Sequence, residues 1–186
     1  LDDIDVALCA RPRPGLFPRL ANLKLIIGLQ AGVDSLLNDP ELPSDIPFVR
    51  ACQPGGDQLI AEYVLMQVLM HHRNIGTYIN DQRDRVWNKQ PVLLASEGRI
   101  GFMGIGMIGR ICAETVRDMG FQVAAWTRTP KELSGIESFH GAAGRGPFLA
   151  RSDILVNILP LTVDTENILN TDLFAGLPKG ARVINI

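Results

Sequence analysis

With 186 residues, 46% hydrophobic and 20% charged, the chain can bury a real core and has the composition of an ordinary globular protein of one or two domains. A net charge of −2 gives no field for nucleic acid or an anionic membrane, no apolar run approaches the ~20 residues of a membrane helix, and no signal-peptide pattern opens the sequence. Cys9, Cys52 and Cys112 are odd in number and scattered, with no CxxC, as expected of reduced thiols in a cytoplasmic protein without a metal site.

Val6-Ala7-Leu8-Cys9 reads as a strand, followed by a loop through Pro12, Pro14 and Gly15. Leu16 to Leu23 holds a short helix around Pro18. Leu25-Ile26-Ile27-Gly28-Leu29 is a second buried strand, running into the tight turn Gln30-Ala31-Gly32-Val33-Asp34 and a short helix through Leu37. After a polar, proline-bearing loop, Pro47-Phe48-Val49-Arg50 is a short strand. This alternation predicts a parallel sheet with covered faces. Beyond Pro54-Gly55-Gly56, Asp57 is the expected N-cap of a helix. Its segment from Leu59 to Met70 is apolar nearly all round apart from Glu62 and Gln67, as suits a helix between two domains. His71, His72 and Arg73 follow at its end, where positive charge is favourable. Asn80 to Gln90 is polar with Trp87 as its one large anchor, and the domain boundary is set near Asn88.

The most informative stretch comes next. Arg99-Ile100-Gly101-Phe102-Met103 is an apolar run leading into Gly104-Ile105-Gly106-Met107-Ile108-Gly109, the pattern Gly-x-Gly-x-x-Gly. Ile108, Ile111, Cys112, Val116 and Met119 then recur on one helical face, Gly120 stops the helix, and Phe121 to Trp126 forms a second strand. Strand, glycine turn, helix and strand in this order separate a dinucleotide site from a chance match. Gly104 permits the turn, Gly106 lets backbone approach a pyrophosphate, and Gly109 allows helix and strand to pack closely. The amides of Met107 and Ile108 face the phosphates at the positive end of the helix.

Further on, Thr127 to Lys131 is a loop, Phe148 to Arg151 a short helix, and Asp153 to Leu159 a strand ending at Pro160. A helix from Leu161 to Leu169 is expected with Thr162 as its cap, and Leu173-Phe174-Ala175-Gly176 leads to a last buried strand, Arg182 to Ile186. The sequence opens directly before a strand and stops inside one, so a piece of a longer protein is expected, truncated at both ends.

Gln30-Ala31-Gly32-Val33-Asp34, Ala61-Glu62-Tyr63-Val64-Leu65, the glycine turn, Leu159-Pro160-Leu161-Thr162 and Val183-Ile184-Asn185-Ile186 come in the order and spacing of the D-isomer-specific 2-hydroxyacid dehydrogenases. The chain resembles that family over most of its length. Through Glu62-Tyr63-Val64-Leu65 and Trp126-Thr127-Arg128-Thr129 it looks most like the glyoxylate/hydroxypyruvate reductase A group. The resemblance implies an α/β fold of two similar Rossmann-like parallel-sheet domains: residues 1–88, a partial substrate-binding domain with the interdomain helix, and residues 89–186, a partial NAD(P)-binding domain. It implies reduction of a small 2-oxo acid, of the glyoxylate or hydroxypyruvate class, by a homodimeric parent protein. Ala31 and Gly32 would offer backbone amides to the substrate carboxylate, and Leu159 and Pro160 would lie along the cofactor.

The family's catalytic Arg, Glu and His all follow the strand that closes this sequence, so no catalytic residue is expected within it, and residues 1–186 alone are expected to be inactive. His71, His72 and His140 do not fall at matching positions, and Arg73 suits a structural pairing. Two rivals stand beside this reading. The β-hydroxyacid dehydrogenases carry their glycine turn at the chain start, and a non-catalytic NAD(P)-binding sensor of the corepressor kind would share the fold. The cofactor is expected to be NADP rather than NAD. Ala125-Trp126-Thr127-Arg128-Thr129 places no carboxylate where an NAD enzyme holds the ribose 2′-hydroxyl. Arg128 offers a charged fork for a 2′-phosphate, Thr127 or Thr129 a hydroxyl, and Lys131 and Arg110 further positive charge.

Overall fold

The computed structural model describes residues 3–30, 32, 34–51 and 55–186. These gather into two compact units, one of residues 1–54 with 160–166 and one of residues 55–159 with 167–186.

In the first unit, β1 (Val6–Cys9), β2 (Leu25–Gly28) and β3 (Phe48–Arg50) form a parallel sheet in that order. The core is Ala7, Cys9, Phe17, Leu20, Leu23, Ile26 and Leu36. Phe17 is supplied by a one-turn 3₁₀ helix, Phe17–Arg19, which starts with Pro18 near its N-terminus, where a missing N–H costs nothing. Leu36 comes from α1 (Asp34–Leu37). A Cβ on Gly28 would press on Phe48 and Leu36 at 3.0–3.2 Å, so this strand end packs closely because it carries no side chain.

The second unit is a five-stranded, all-parallel sheet. Its strands are β4 (Arg99–Met103), β5 (Gln122–Thr127), β6 (Glu137–His140), β7 (Ile154–Asn157) and β8 (Arg182–Asn185), ordered β6-β5-β4-β7-β8. The strands alternate between two covered faces, as a parallel sheet requires. Ile100, Phe102, Val123, Ala125, Ile154 and Val156 pack with Ala61, Val64 and Val68 of α2 (Gly56–His72) and Cys112, Ala113 and Val116 of α4 (Met107–Asp118). Met103, Ala124 and Leu155 face Phe148 and Leu149 of α5 (Gly141–Ala150) and Leu173 of α6 (Thr171–Ala175). At the N-terminal sheet edge, Arg99 pins β4 to β7 with a two-pronged bond to Asp153, 2.9 and 2.6 Å. That guanidinium holds the Asp153 carboxyl below its ordinary range.

Several expectations change. The N-cap of α2 is Gly55, in the left-handed region at φ 83°, and Asp57 lies inside the first turn with its carboxylate accepting from the Gln58 amide. Glycine, not Asp57, therefore stands at the N-cap, because it reaches this backbone conformation without strain. α2 packs into the second unit, on the sheet of β4, β5 and β7. Trp87 anchors nothing, being 97% exposed. A polar helix, α3 (Ile75–Arg83), fills part of the segment read as irregular. Met119, expected on the buried face of α4, is about half exposed because it lies beyond the last helical turn. No helix covers 161–169. Thr165 Oγ1 instead donates to the Pro160 carbonyl and accepts from the Thr162 amide, and the helix starts only at Thr171, where Asn170 caps the Leu173 amide. β8 is an edge strand with only Ile184 buried.

Candidate nucleotide-binding site

Strand order reverses at β4, because the chain passes to β5 and β6 on one side and to β7 and β8 on the other. In an open parallel sheet a ligand crevice lies beyond the C-terminal strand ends at this point. Gly104, Gly106, Met107, Ile108 and Gly109 stand there, directly after β4 and opening α4.

The glycines have separate causes. Gly104 sits at φ +99°, and a Cβ on it would meet the Ile158 carbonyl oxygen at 2.9 Å and the Leu159 nitrogen at 3.1 Å. The segment leaving β7 thus closes on the turn, with the Ile158 amide donating to the Met103 carbonyl at 2.9 Å. A Cβ on Gly109 would collide with the Gly104 carbonyl oxygen, and would stand 3.0 Å from the Ile158 side chain. Gly106 differs from both. Its backbone is extended at φ −78°, and a Cβ there would meet nothing within 4 Å. The fold does not need glycine at that position, and what the missing Cβ leaves is room in front of the helix. No side chain caps α4, so the first-turn amides beside Met107 and Ile108 keep their positive end of the helix for an anion. A pyrophosphate suits this arrangement.

The remaining expected residues divide. The end of β5 lies beside the end of β4, with Trp126 opposite Met103. Arg128 is exposed there, and none of the described residues pairs with its guanidinium. Thr127 is buried, and its hydroxyl donates to the Thr129 carbonyl at 2.7 Å, so its hydrogen is spent inside the loop. Lys131 donates to the Ile105 carbonyl at 2.9 Å, fastening the loop to the glycine turn. Arg110 pairs with Glu114 one turn along α4 at 2.8 Å. Leu159 is half-buried against the α5 side of the sheet, and Pro160, exposed, begins the segment grouped with the first unit. Ala31 lies outside the described residues. Gly32, in the loop between β2 and α1, is exposed.

The histidines sit away from the turn. His71 lines a small cavity with Arg99, Asp153 and Arg182 at the N-terminal sheet edge, and burial, then Arg182, lowers its pKa. His72 bonds the Leu93 carbonyl at 3.1 Å and stands edge-on to Phe121. His140 ends β6 and is the N-cap residue of α5. The polar pair Asn157 and Asn185 is a feature the sequence reading missed. Asn157 Nδ2 donates to Asn185 Oδ1 at 2.7 Å at the crevice end of β7 and β8, while Asn157 Oδ1 is buried with no partner among the described residues. Two asparagines each ending an apolar strand were the available signal. Among the described residues no cluster of His, Cys, Asp or Glu could hold a metal ion, and no helix is long and apolar enough to cross a membrane.

A parallel sheet with an open glycine turn at its switch point defines a dinucleotide-binding protein of the Rossmann class. The family model for the D-isomer specific 2-hydroxyacid dehydrogenase NAD binding domain matches residues 65–186, and the chain belongs to that family. Glyoxylate/hydroxypyruvate reductase A of Serratia proteamaculans is 35% identical over 98% of this chain and 60% of its own length. Among solved structures, a D-isomer specific 2-hydroxyacid dehydrogenase from Xanthobacter autotrophicus Py2 in complex with NADPH and MES matches with a TM-score of 0.92 and 41% identity, over 99% of this chain and 58% of that one. An NADPH-dependent glyoxylate/hydroxypyruvate reductase from Sinorhizobium meliloti, in complex with NADP and sulfate, matches with a TM-score of 0.90 and 38% identity, over 98% and 59%. The chain therefore spans about three fifths of the length of these relatives.

Proposed function

We propose that the protein carrying this chain is a cytoplasmic, homodimeric, NADPH-preferring reductase of a small 2-oxo acid of the glyoxylate or hydroxypyruvate class. The observation that carries this reading is Gly106, where a Cβ would meet only open space before an uncapped helix at the switch point. It is joined by a β5 end that bears Arg128 and no carboxylate. The relatives named reductases, and the neighbours solved with NADPH or NADP, support the same assignment.

In this reading the turn amides at Gly106, Met107 and Ile108 take the pyrophosphate, Gly109 keeps the helix close behind it, and Arg128 forks the 2′-phosphate. Leu159 and Pro160 border the rest of the cofactor. Bound NADPH supplies the hydride that reduces the oxo carbon. Ala31 and Gly32 hold the substrate carboxylate through backbone N–H groups. No side chain of residues 1–186 is assigned as the proton donor; the family resemblance implies a His for that role, steered by a Glu, with an Arg to polarise the oxo acid.

The test is steady-state oxidation of NADPH by the complete protein with glyoxylate and with hydroxypyruvate. Turnover with either acid, faster with NADPH than with NADH, is expected. Tight NADPH binding without turnover of any 2-oxo acid would contradict the reductase and leave a nucleotide sensor.

A further inference from the structure

The cavity at the N-terminal edge of the second sheet lies at the opposite end of the strands from the glycine turn, so the nucleotide reading leaves it unused. Its volume is about 230 Å³, below the roughly 300 Å³ at which sites for drug-sized ligands begin, and it suits something small. The end of α2 supplies His71, with Asn74 just beyond it. Arg99 comes from the start of β4, Asp153 from the approach to β7, and Arg182 from the start of β8.

The charges of this cavity do not cancel. Arg99 and Asp153 neutralise each other through their two-pronged bond. Arg182 has no carboxylate: one Nη donates to the Gly180 carbonyl at 2.8 Å, and no ion pair among the described residues engages its guanidinium. The side chains of His71 and Asn74 make no hydrogen bond among the described residues. The carbonyl end of α2 would oppose an anion, but the Arg73 and Asn74 amides already take the Leu69 and His71 carbonyls at 2.9 and 3.2 Å.

We propose that this cavity binds inorganic phosphate, held by the remaining N–H groups of Arg182 and by the His71 imidazole, with the Asn74 amide beside them. A carboxylate spends both its oxygens on one guanidinium fork. Here the donors stand on two elements, α2 and β8, and a tetrahedral oxyanion has oxygens left for the second after the first is filled. Arg182 adds to burial in holding His71 below its ordinary pKa of 6.5. An anion between the two offsets that repulsion and favours the protonated ring. The other titratable groups on the cavity are His72, Arg99 and Asp153, and Arg99 keeps Asp153 ionised.

The test is a titration of the complete protein with sodium phosphate at constant ionic strength, with NADPH present to fill the glycine turn. The readout is the ring resonances of His71, assigned by their loss in His71→Gln. Phosphate should move them saturably, with a dissociation constant of about 1 mM or below, and should raise the His71 pKa where chloride does not. Arg182→Gln, confirmed folded by circular dichroism, should weaken binding about tenfold or more, since a charged donor is lost. Arg182→Lys, which keeps the charge without the fork, should weaken it less. Resonances that never saturate, or that respond alike in wild type and Arg182→Gln, would overturn the site. The ring shifts are local to the end of α2, so that result would leave the nucleotide reading untouched.

Discussion

A Cβ on Gly109 would run into the carbonyl oxygen of Gly104, so the turn after β4 and the first turn of α4 can close on each other only while position 109 is bare. Gly106, between them, meets nothing. The three glycines therefore answer to two different demands, close packing inside the protein at 104 and 109, and access for a ligand at 106.

That division predicts opposite phenotypes. Gly109→Ala forces backbone to shift and destabilises folding by about 1–3 kcal/mol, the usual range for overpacking. Gly106→Ala leaves stability within about 0.5 kcal/mol, as for a surface change, yet weakens nucleotide binding at least tenfold. Chemical denaturation and nucleotide titration of both variants check this. A stable Gly109→Ala, or a Gly106→Ala that binds as wild type, would contradict it.

The parts of the fold legible in the sequence are those where local pattern and global burial agree. β4, the glycine turn, α4 and β5 announce themselves by an apolar run, glycine spacing, helical periodicity and Gly120, which stops α4 at φ +103°. β6 is illegible because Glu137-Ser138-Phe139-His140 lies at a sheet edge with no side chain fully buried. α5 is legible only at its end: Gly141, Gly144, Gly146 and Pro147 look like a loop, and the helix is held by tertiary burial of Phe148 and Leu149. α3 buries nothing and so leaves no apolar period. Thr162 fails as a cap because Thr165 and Asn167, the latter at φ 55°, turn the chain instead. At the site, the glycine spacing identifies which glycines matter and the kind of demand on each, but not the atoms behind it: the Gly104 carbonyl that a Cβ on Gly109 would strike and the open space before Gly106 look alike as letters. Thr127 and Lys131 show the same limit. Their polar groups serve the loop itself, which depends on distances no spacing rule supplies.

His71 gives a pH prediction. Its pKa is lowered from the ordinary value of 6.5, chiefly by burial and then by the nearby Arg182. Arg99, Asp153 and His72 complete the cavity around it. The unfolded chain therefore takes up a proton at this residue at higher pH than the folded one, and stability falls as pH drops below about 6.5. His71→Gln removes that term. Denaturation midpoints measured between about pH 5 and 8 should fall less steeply toward acid in the variant than in wild type. Equal slopes would contradict the assignment.

The central claim is that this site takes NADPH, with Arg128 as the group that selects it. A hydrogen bond to a charged partner contributes roughly 1.5–3 kcal/mol, or about tenfold to a hundredfold in affinity. The decisive measurement is the dissociation constants of NADPH and NADH for the complete protein and for Arg128→Ala. NADPH should weaken by about tenfold to a hundredfold and NADH by less than about twofold, collapsing the preference. An unchanged ratio between the two would contradict the claim.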